Sequence, residues 1–171
     1  MPALRIAGTI PESIVDGPGI RYVLFTQGCP HGCPGCHNPQ THDFAGGKEV
    51  QVCDLLADIL KRPYVKAVTL SGGEPFCQPA PLAELAAALK EKGFHLMCYS
   101  GFTFEELLHK DDARPLLEQL DLLVDGRFVE AEKNIELRFR GSANQRILNV
   151  PASLEQGSAV AETRGRWLGQ Y

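Results

Sequence analysis

Residues 28–38 read Gly-Cys-Pro-His-Gly-Cys-Pro-Gly-Cys-His-Asn, a loop in which Cys29, Cys33 and Cys36 form a Cys-x3-Cys-x2-Cys array. Pro30, Gly32, Pro34 and Gly35 keep this backbone out of helix and sheet, so the short spacings can turn several sulfurs toward one volume. Thiolates suit zinc or iron–sulfur clusters. Four cysteines are the usual complement of a 4Fe–4S cluster, so three leave one iron open, as a catalytic zinc keeps one position free of protein ligands. The same residues also allow a Cys3His zinc site completed by His31, His37 or His42, which would make the chain a zinc-binding interaction module without catalysis. A disulfide is a third reading.

The flanking sequence places this loop in a fold. Residues 20–26 are apolar, β-branched or aromatic enough for a buried strand that delivers Gly28 and the cysteines at its carboxyl end. Residues 4–10 form an earlier strand, separated from it by the turn Asp16-Gly17-Pro18-Gly19. Downstream, Val52, Leu55, Leu56, Ile59 and Leu60 recur at helical spacing, predicting an amphipathic helix over 49–62 that ends at Pro63. A strand at 67–70 runs into Ser71-Gly72-Gly73-Glu74-Pro75, and a helix at 81–91 follows, with Pro81 at its start and Gly93 past its end. A strand at 95–99 leads to Ser100-Gly101, and Thr103 with Glu106 forms a capping-box signature. Helix resumes at 113–120, and a strand at 122–124 ends at Asp125-Gly126. Beyond it, 136–140 reads as a strand and 147–150 as another apolar piece.

Strand alternating with helix predicts an α/β fold with a mostly parallel sheet, crossover helices and Gly-containing loops gathered on one edge. With 171 residues, the chain is expected to form one domain over 1–150, followed by a flexible or loosely docked tail at 151–171, where periodicity is weak. Arg164, Arg166, Trp167 and Tyr171 would suit such a tail to a partner, but an ordinary exposed tail is the favoured reading. A net charge of −4 lacks the basic footprint of a nucleic-acid or anionic-membrane ligand. No apolar run approaches about eighteen residues and the first ten residues lack a secretory pattern, so a cytoplasmic protein is expected. All six cysteines then lie in a reducing compartment; Cys53, Cys77 and Cys98 read as small apolar residues, with Cys77 close enough to Glu74 to raise the question of a fourth ligand.

Paired glycines allow close backbone approach to a ligand, and Glu74 offers an acceptor for an amine. Following a three-cysteine loop across one helix, this combination resembles the radical S-adenosylmethionine enzymes, and within them the activases of glycyl-radical enzymes. The resemblance rests on Asp16-Gly17-Pro18-Gly19 with Arg21, on Gly28, Cys29, Cys33, Cys36 and Asn38, and on Ser71 to Pro75. Tyr99-Ser100-Gly101-Phe102, the stretch 122–128 and Arg140-Gly141-Ser142-Ala143-Asn144-Gln145-Arg146 are similar to the short activating proteins of the anaerobic ribonucleotide reductase, as is the compact length.

That resemblance implies a compact partial (β/α) barrel. It implies a 4Fe–4S cluster on Cys29, Cys33 and Cys36, and S-adenosylmethionine on the fourth iron. Gly72, Gly73 and Glu74 would hold the methionine amine, with Ser100 a further contact and Gly35 and His37 beside the adenine. Reductive cleavage of the sulfonium would yield a radical that takes hydrogen from a glycine of the partner enzyme, with no side-chain acid or base. A small carrier such as flavodoxin or ferredoxin would supply the electron. Asp16 to Gly19 would help shape the entrance for the partner's peptide, with Asp125 and Arg140 as further candidates on the same edge. An activase of pyruvate formate-lyase, or a small radical enzyme acting on a nucleotide-like substrate, is the alternative within the same chemistry.

Overall fold

The computed structural model describes residues 2–170. Seven strands form one open sheet in the order β3-β1-β2-β4-β5-β6-β7. They are β1 (Ala3–Ser13), β2 (Arg21–Thr26), β3 (Lys48–Gln51), β4 (Ala67–Gly72), β5 (His95–Ser100), β6 (Leu122–Asp125) and β7 (Arg146–Asn149). The central four, β2, β4, β5 and β6, are mutually parallel, whereas β1, β3 and β7 add antiparallel edges. This is the expected α/β architecture with a parallel centre, left open as in a partial barrel.

Burial explains which segments take the centre. Every residue of β6 is buried, as are five of the six in β2, and strands buried on both faces read as continuous apolar runs. Helices α1 (Val52–Leu60), α2 (Pro79–Glu91), α3 (Phe104–Leu108) and α4 (Arg114–Leu117) supply the crossovers. Val52, Leu55 and Ile59 of α1 and Leu82, Leu85, Ala86 and Leu89 of α2 pack with Leu24, Val68, Leu70 and Leu96 of the strands in the main core. The Thr103–Glu106 capping box forms in full at the start of α3. A smaller cluster of Met97, Leu122, Val124 and Ile147 lies apart from this core, covered by Tyr99, Phe139, Trp167 and Leu168.

Three readings of the chain change. Residues 48–51, expected within or next to a helix beginning at 49, form β3 because they pair with β1 from Ala3↔Gln51 to Ile6↔Lys48; tertiary pairing outweighs a helical pattern at its frayed end. Residues 136–140 form turns, and Phe139 has φ +59°, a left-handed conformation incompatible with a strand. The segment after Val150 is packed onto the sheet: helix α5 (Val150–Gln156) ends at Gly157, Ala161 bridges to Leu148, and Glu162 donates its backbone N–H to Ile147. Tyr171 lies outside the described residues. Among the described residues no helix is long and apolar enough to cross a membrane.

Candidate functional site

Parallel strands β2 and β4 are neighbours in register, with Thr26 opposite Gly72, so their carboxyl ends deliver the cysteine loop and the Gly-Gly-Glu loop side by side. The two loops are joined through backbone. Gly73 donates to Thr26 O at 2.9 Å and Glu74 donates to Gly28 O at 2.8 Å. A Cβ on Gly73 would lie 2.4 Å from Gly28 O, and one on Gly72, at φ +97°, would lie 2.4 Å from Thr26 N. Both glycines are therefore required by the close approach of the neighbouring loop; Gly72 in addition lines the cavity described below. Gly28 itself, at φ +105°, leaves room for the ring of Phe44.

Cys29, Cys33 and Cys36 are free, half-buried thiols carried on this clamped loop. Gly28 and Cys29 donate to Thr41 and His42 carbonyls, and Cys36 donates to Cys33 O at 3.2 Å. Asn38 points its backbone N–H at Cys36 Sγ, 3.4 Å away. Burial pushes the Cys29 thiol up, and the Glu74 charge adds to that rise. Among the described residues no three His, Cys, Asp or Glu side chains gather closely enough for a single metal ion. Three thiols on one short loop are a donor set that a 4Fe–4S cluster, with one thiolate to an iron, would fit. Cys77, on a single 3-10 turn after Glu74, is pushed up to about 11 by burial and by the Glu74 charge. Cys98 is buried and Cys53 lies exposed on α1.

Glu74 is fully buried and all its acceptor capacity is directed to the protein. Oε1 accepts from Ser100 Oγ at 2.8 Å and from the Phe76 backbone at 3.0 Å, while Oε2 accepts from Gly101 N at 2.8 Å and lies 2.7 Å from His31 Nε2. Arg127 Nε donates to His31 Nδ1 at 3.2 Å, which places the ring proton on Nε2, toward Glu74. Phe102 meets the same ring edge to face at 4.7 Å. The carboxylate thus ties the cysteine loop, through His31, to the ends of β4 and β5. Ser100 serves this knot, its hydroxyl also accepting from Phe102 N at 3.0 Å. Sequence reasoning treated His31 only as one of three zinc candidates; its spacing from Glu74 of 43 residues carried no local signal.

Beside the knot, a cavity of about 340 Å³ brings Cys36 and His37 together with Ser71 and Gly72 from β4, Tyr99 from β5, and Arg140. Asp16 stands on its rim, and His37 tilts against Phe128 with ring centroids 5.1 Å apart. Burial holds the Tyr99 phenol well above its ordinary range, so it remains a neutral donor. Arg140 donates from Nη1 to Gln145 O at 3.3 Å, but its Nε is buried without a hydrogen-bond partner among the described residues. Gly35, at φ +75°, faces the Glu130 side chain rather than this cavity. Asp125 is also placed elsewhere: it caps α3 through Phe104 N at 2.7 Å and pairs with Arg146 Nη2 at 2.5 Å.

Comparison with known proteins bears on this geometry. The model of a 4Fe-4S single cluster domain matches residues 15–148. Pyruvate formate-lyase-activating enzymes of Staphylococcus aureus strains USA300 and NCTC 8325 are each 40% identical over 149 residues, covering 82% of this chain and 59% of theirs. The chain therefore spans less than two thirds of those relatives. Among solved structures, QueE from Escherichia coli aligns with a TM-score of 0.46 and 24% identity, over 59% of this chain and 53% of that one.

Proposed function

Since this chain belongs to the 4Fe-4S single cluster domain family, we propose that it activates a glycyl-radical enzyme, with a 4Fe–4S cluster on Cys29, Cys33 and Cys36 and S-adenosylmethionine in the adjoining cavity. The observation that carries this reading is the cavity itself, which joins Cys36 and His37 of the cysteine loop to the ends of β4 and β5. Its size suits a small cofactor, since ligand sites commonly fall between about 300 and 1,000 Å³. The unpaired Nε of Arg140 calls for an acceptor, which a cofactor carboxylate would supply.

When bound, cluster and cofactor together supply reductive cleavage of the sulfonium, whose product removes a hydrogen atom from a glycine Cα of the partner. The protein's own part is to place and to shield. The clamp between Gly28 and Glu74 fixes the cysteine loop against β4. Of the Gly72-Gly73-Glu74 loop, Gly72 lines the cavity and would face the methionine amine, while Gly73 and Glu74, placed outside the cavity lining, hold the loop against the cysteine loop and Ser100 stiffens it through its hydrogen bond to Glu74. His37, braced by Phe128, offers a ring to the adenine, and Gly35 lets the loop turn at Cys36. No side chain is required as acid or base. Exposed Val15 and the rim residue Asp16 border the cavity where a peptide segment would enter.

For the partner, we favour the anaerobic ribonucleotide reductase, in a cytoplasmic setting with a flavodoxin or ferredoxin as electron source. Support comes from the stretches that resemble its activating proteins: Tyr99, Phe128, Arg140, Gly141 and Gln145 of those stretches all line the cavity. The 40% identity to pyruvate formate-lyase-activating enzymes supports pyruvate formate-lyase as the second reading. The test is anaerobic incubation of the reduced, cluster-loaded protein with S-adenosylmethionine and each candidate enzyme, followed by electron paramagnetic resonance. A glycyl doublet arising with the reductase is the expected result. A doublet with the lyase alone overturns the choice of partner, and a protein that binds zinc without iron or sulfide overturns the chemistry.

A further inference from the structure

At the opposite edge of the sheet, the amino ends of β2, β4 and β5 and the C-terminal segment enclose a second cavity, of about 400 Å³. Among the described residues its walls carry three cations, Arg21, Lys66 and Arg166, and no carboxylate. None of the three forms a salt bridge among the described residues. Lys66 and Arg166 are exposed, whereas Arg21 is fully buried.

The partners of Arg21 are all neutral. Nε donates to Thr69 Oγ1 at 2.7 Å, Nη1 to Pro18 O at 3.0 Å, and Nη2 to Val68 O at 3.0 Å. Nη2 also lies 3.0 Å from His95 Nδ1, and a guanidinium only donates, so Nδ1 accepts and the imidazole proton sits on Nε2. Burial and the Arg21 charge lower the His95 pKa to about 4, so the ring stays neutral. Trp167 stacks on His95 at 3.9 Å, and the Arg166 guanidinium lies over the indole at 4.4 Å. The aromatic surface is thus already engaged, and what the cavity offers a visitor is positive charge and N–H donors. Arg21 is thus buried against dipoles in direct contact; the one carboxylate whose charge acts on it, Asp121, does not line the cavity and forms no salt bridge with it.

We propose that this cavity binds a phosphoryl group, either free phosphate or that of a small phosphate ester, with Arg21 and His95 as its fixed floor and Lys66 and Arg166 as its mobile walls. Charge-assisted hydrogen bonds to phosphate oxygens are the strong kind, and two flexible cations over a fixed one suit the tetrahedral anion. The site is independent of the cysteine loop and of the reaction proposed there.

Equilibrium dialysis of labelled inorganic phosphate against the cluster-loaded chain, at an ionic strength fixed with sodium chloride, tests the proposal. Saturable one-site binding is expected, weakened at least about tenfold in the Lys66→Ala/Arg166→Ala double variant. Both side chains are exposed, so this variant retains the fold, and Lys48→Ala on β3 serves as a control that keeps wild-type binding. Non-saturable binding, or saturable binding unchanged in the double variant, overturns the site. Ribose 5-phosphate as competitor separates the two sources: displacement at lower concentration than inorganic phosphate identifies an ester, and weaker displacement identifies the free ion.

Discussion

Glu74 at the carboxyl edge of the sheet and Arg21 at the amino edge are both completely buried, and the two edges solve that problem differently. At the carboxyl edge Glu74 has an imidazole partner, His31, and three further donors. At the amino edge Arg21 has only carbonyls, a hydroxyl and a neutral imidazole. A matched set of donors makes Glu74 a rigid knot under the cysteine loop, where geometry has to be held. With dipoles in direct contact and Asp121 acting only from beyond them, Arg21 forms no salt bridge, so that edge retains attraction for an anion. The turn at 16–19 connects them: Asp16 borders the carboxyl-edge cavity, while Pro18 and Gly19 border the other.

The sharpest separation of the edges is chemical. Replacing Cys29, Cys33 or Cys36 by Ala is expected to abolish iron incorporation, measured as iron and sulfide per chain, while the half-buried thiols contribute little to folding and thermal unfolding of the metal-free protein shifts slightly. Glu74→Ala comes next, because it strands four buried donors; the expected loss is about 3–5 kcal/mol, or a melting point lower by about 6–20 °C. Iron incorporation should fall with it, and Glu74→Gln, which restores an acceptor, should recover part of both. If Glu74→Ala unfolded at the wild-type temperature, the knot would not be what holds the loops.

Arg21→Met probes the other edge and should cost less, about 1–3 kcal/mol. It removes the donor to the Pro18 and Val68 carbonyls, to His95 Nδ1 and to Thr69 Oγ1, which keeps its own bond to Asp16 O, but it also removes a fully buried charge. Arg21→Lys cannot reproduce the planar fork and should not rescue it. A loss larger than that of Glu74→Ala would reverse the comparison. Gly73→Ala, whose Cβ would press on Gly28 O, is expected to destabilise by about 1–3 kcal/mol and to lower iron content by parting the two loops.

The smallest effect is a pH dependence. With the folded His95 pKa near 4 against 6.5 for the free side chain, the unfolded chain binds more protons between these values. The His95 contribution is therefore present above pH 6.5 and is lost as the pH falls toward 4. Thermal unfolding of the wild type should lose more stability between pH 7 and pH 5 than His95→Asn, which keeps an acceptor in place of the imidazole. The acids with lowered pKa, Asp58, Glu105 and the buried Glu162, act in the same direction but in a lower window, below about pH 4.5. Equal losses in both proteins would show that His95 is not kept neutral by the amino edge.

Much of the carboxyl edge was legible in the chain because its signals are local. The spacing of Cys29, Cys33 and Cys36, the glycines at 72 and 73 and the Thr103–Glu106 box each lie within a few residues, where covalent connectivity alone limits the outcome. The parallel centre followed from alternating apolar strands and helices. What misled was local as well: residues 136–140 have a strand's composition, yet Phe139 adopts a left-handed backbone conformation. Residues 48–51 joined β1 although they adjoin a helical pattern.

By itself, then, the amino-acid sequence determined the class of fold, the three-cysteine loop and the edge on which it meets the Gly-Gly-Glu loop, since periodicity and short spacing act before the chain closes on itself. Only tertiary structure decided that Gly72 and Gly73 accommodate a neighbouring backbone, and that Glu74 faces His31 and Ser100. The same holds for the C-terminal segment, which lays Trp167 on His95 beside Arg21. These contacts join residues from 26 to 72 positions apart, and over such separations side-chain chemistry names the groups able to interact while packing alone determines which of them meet.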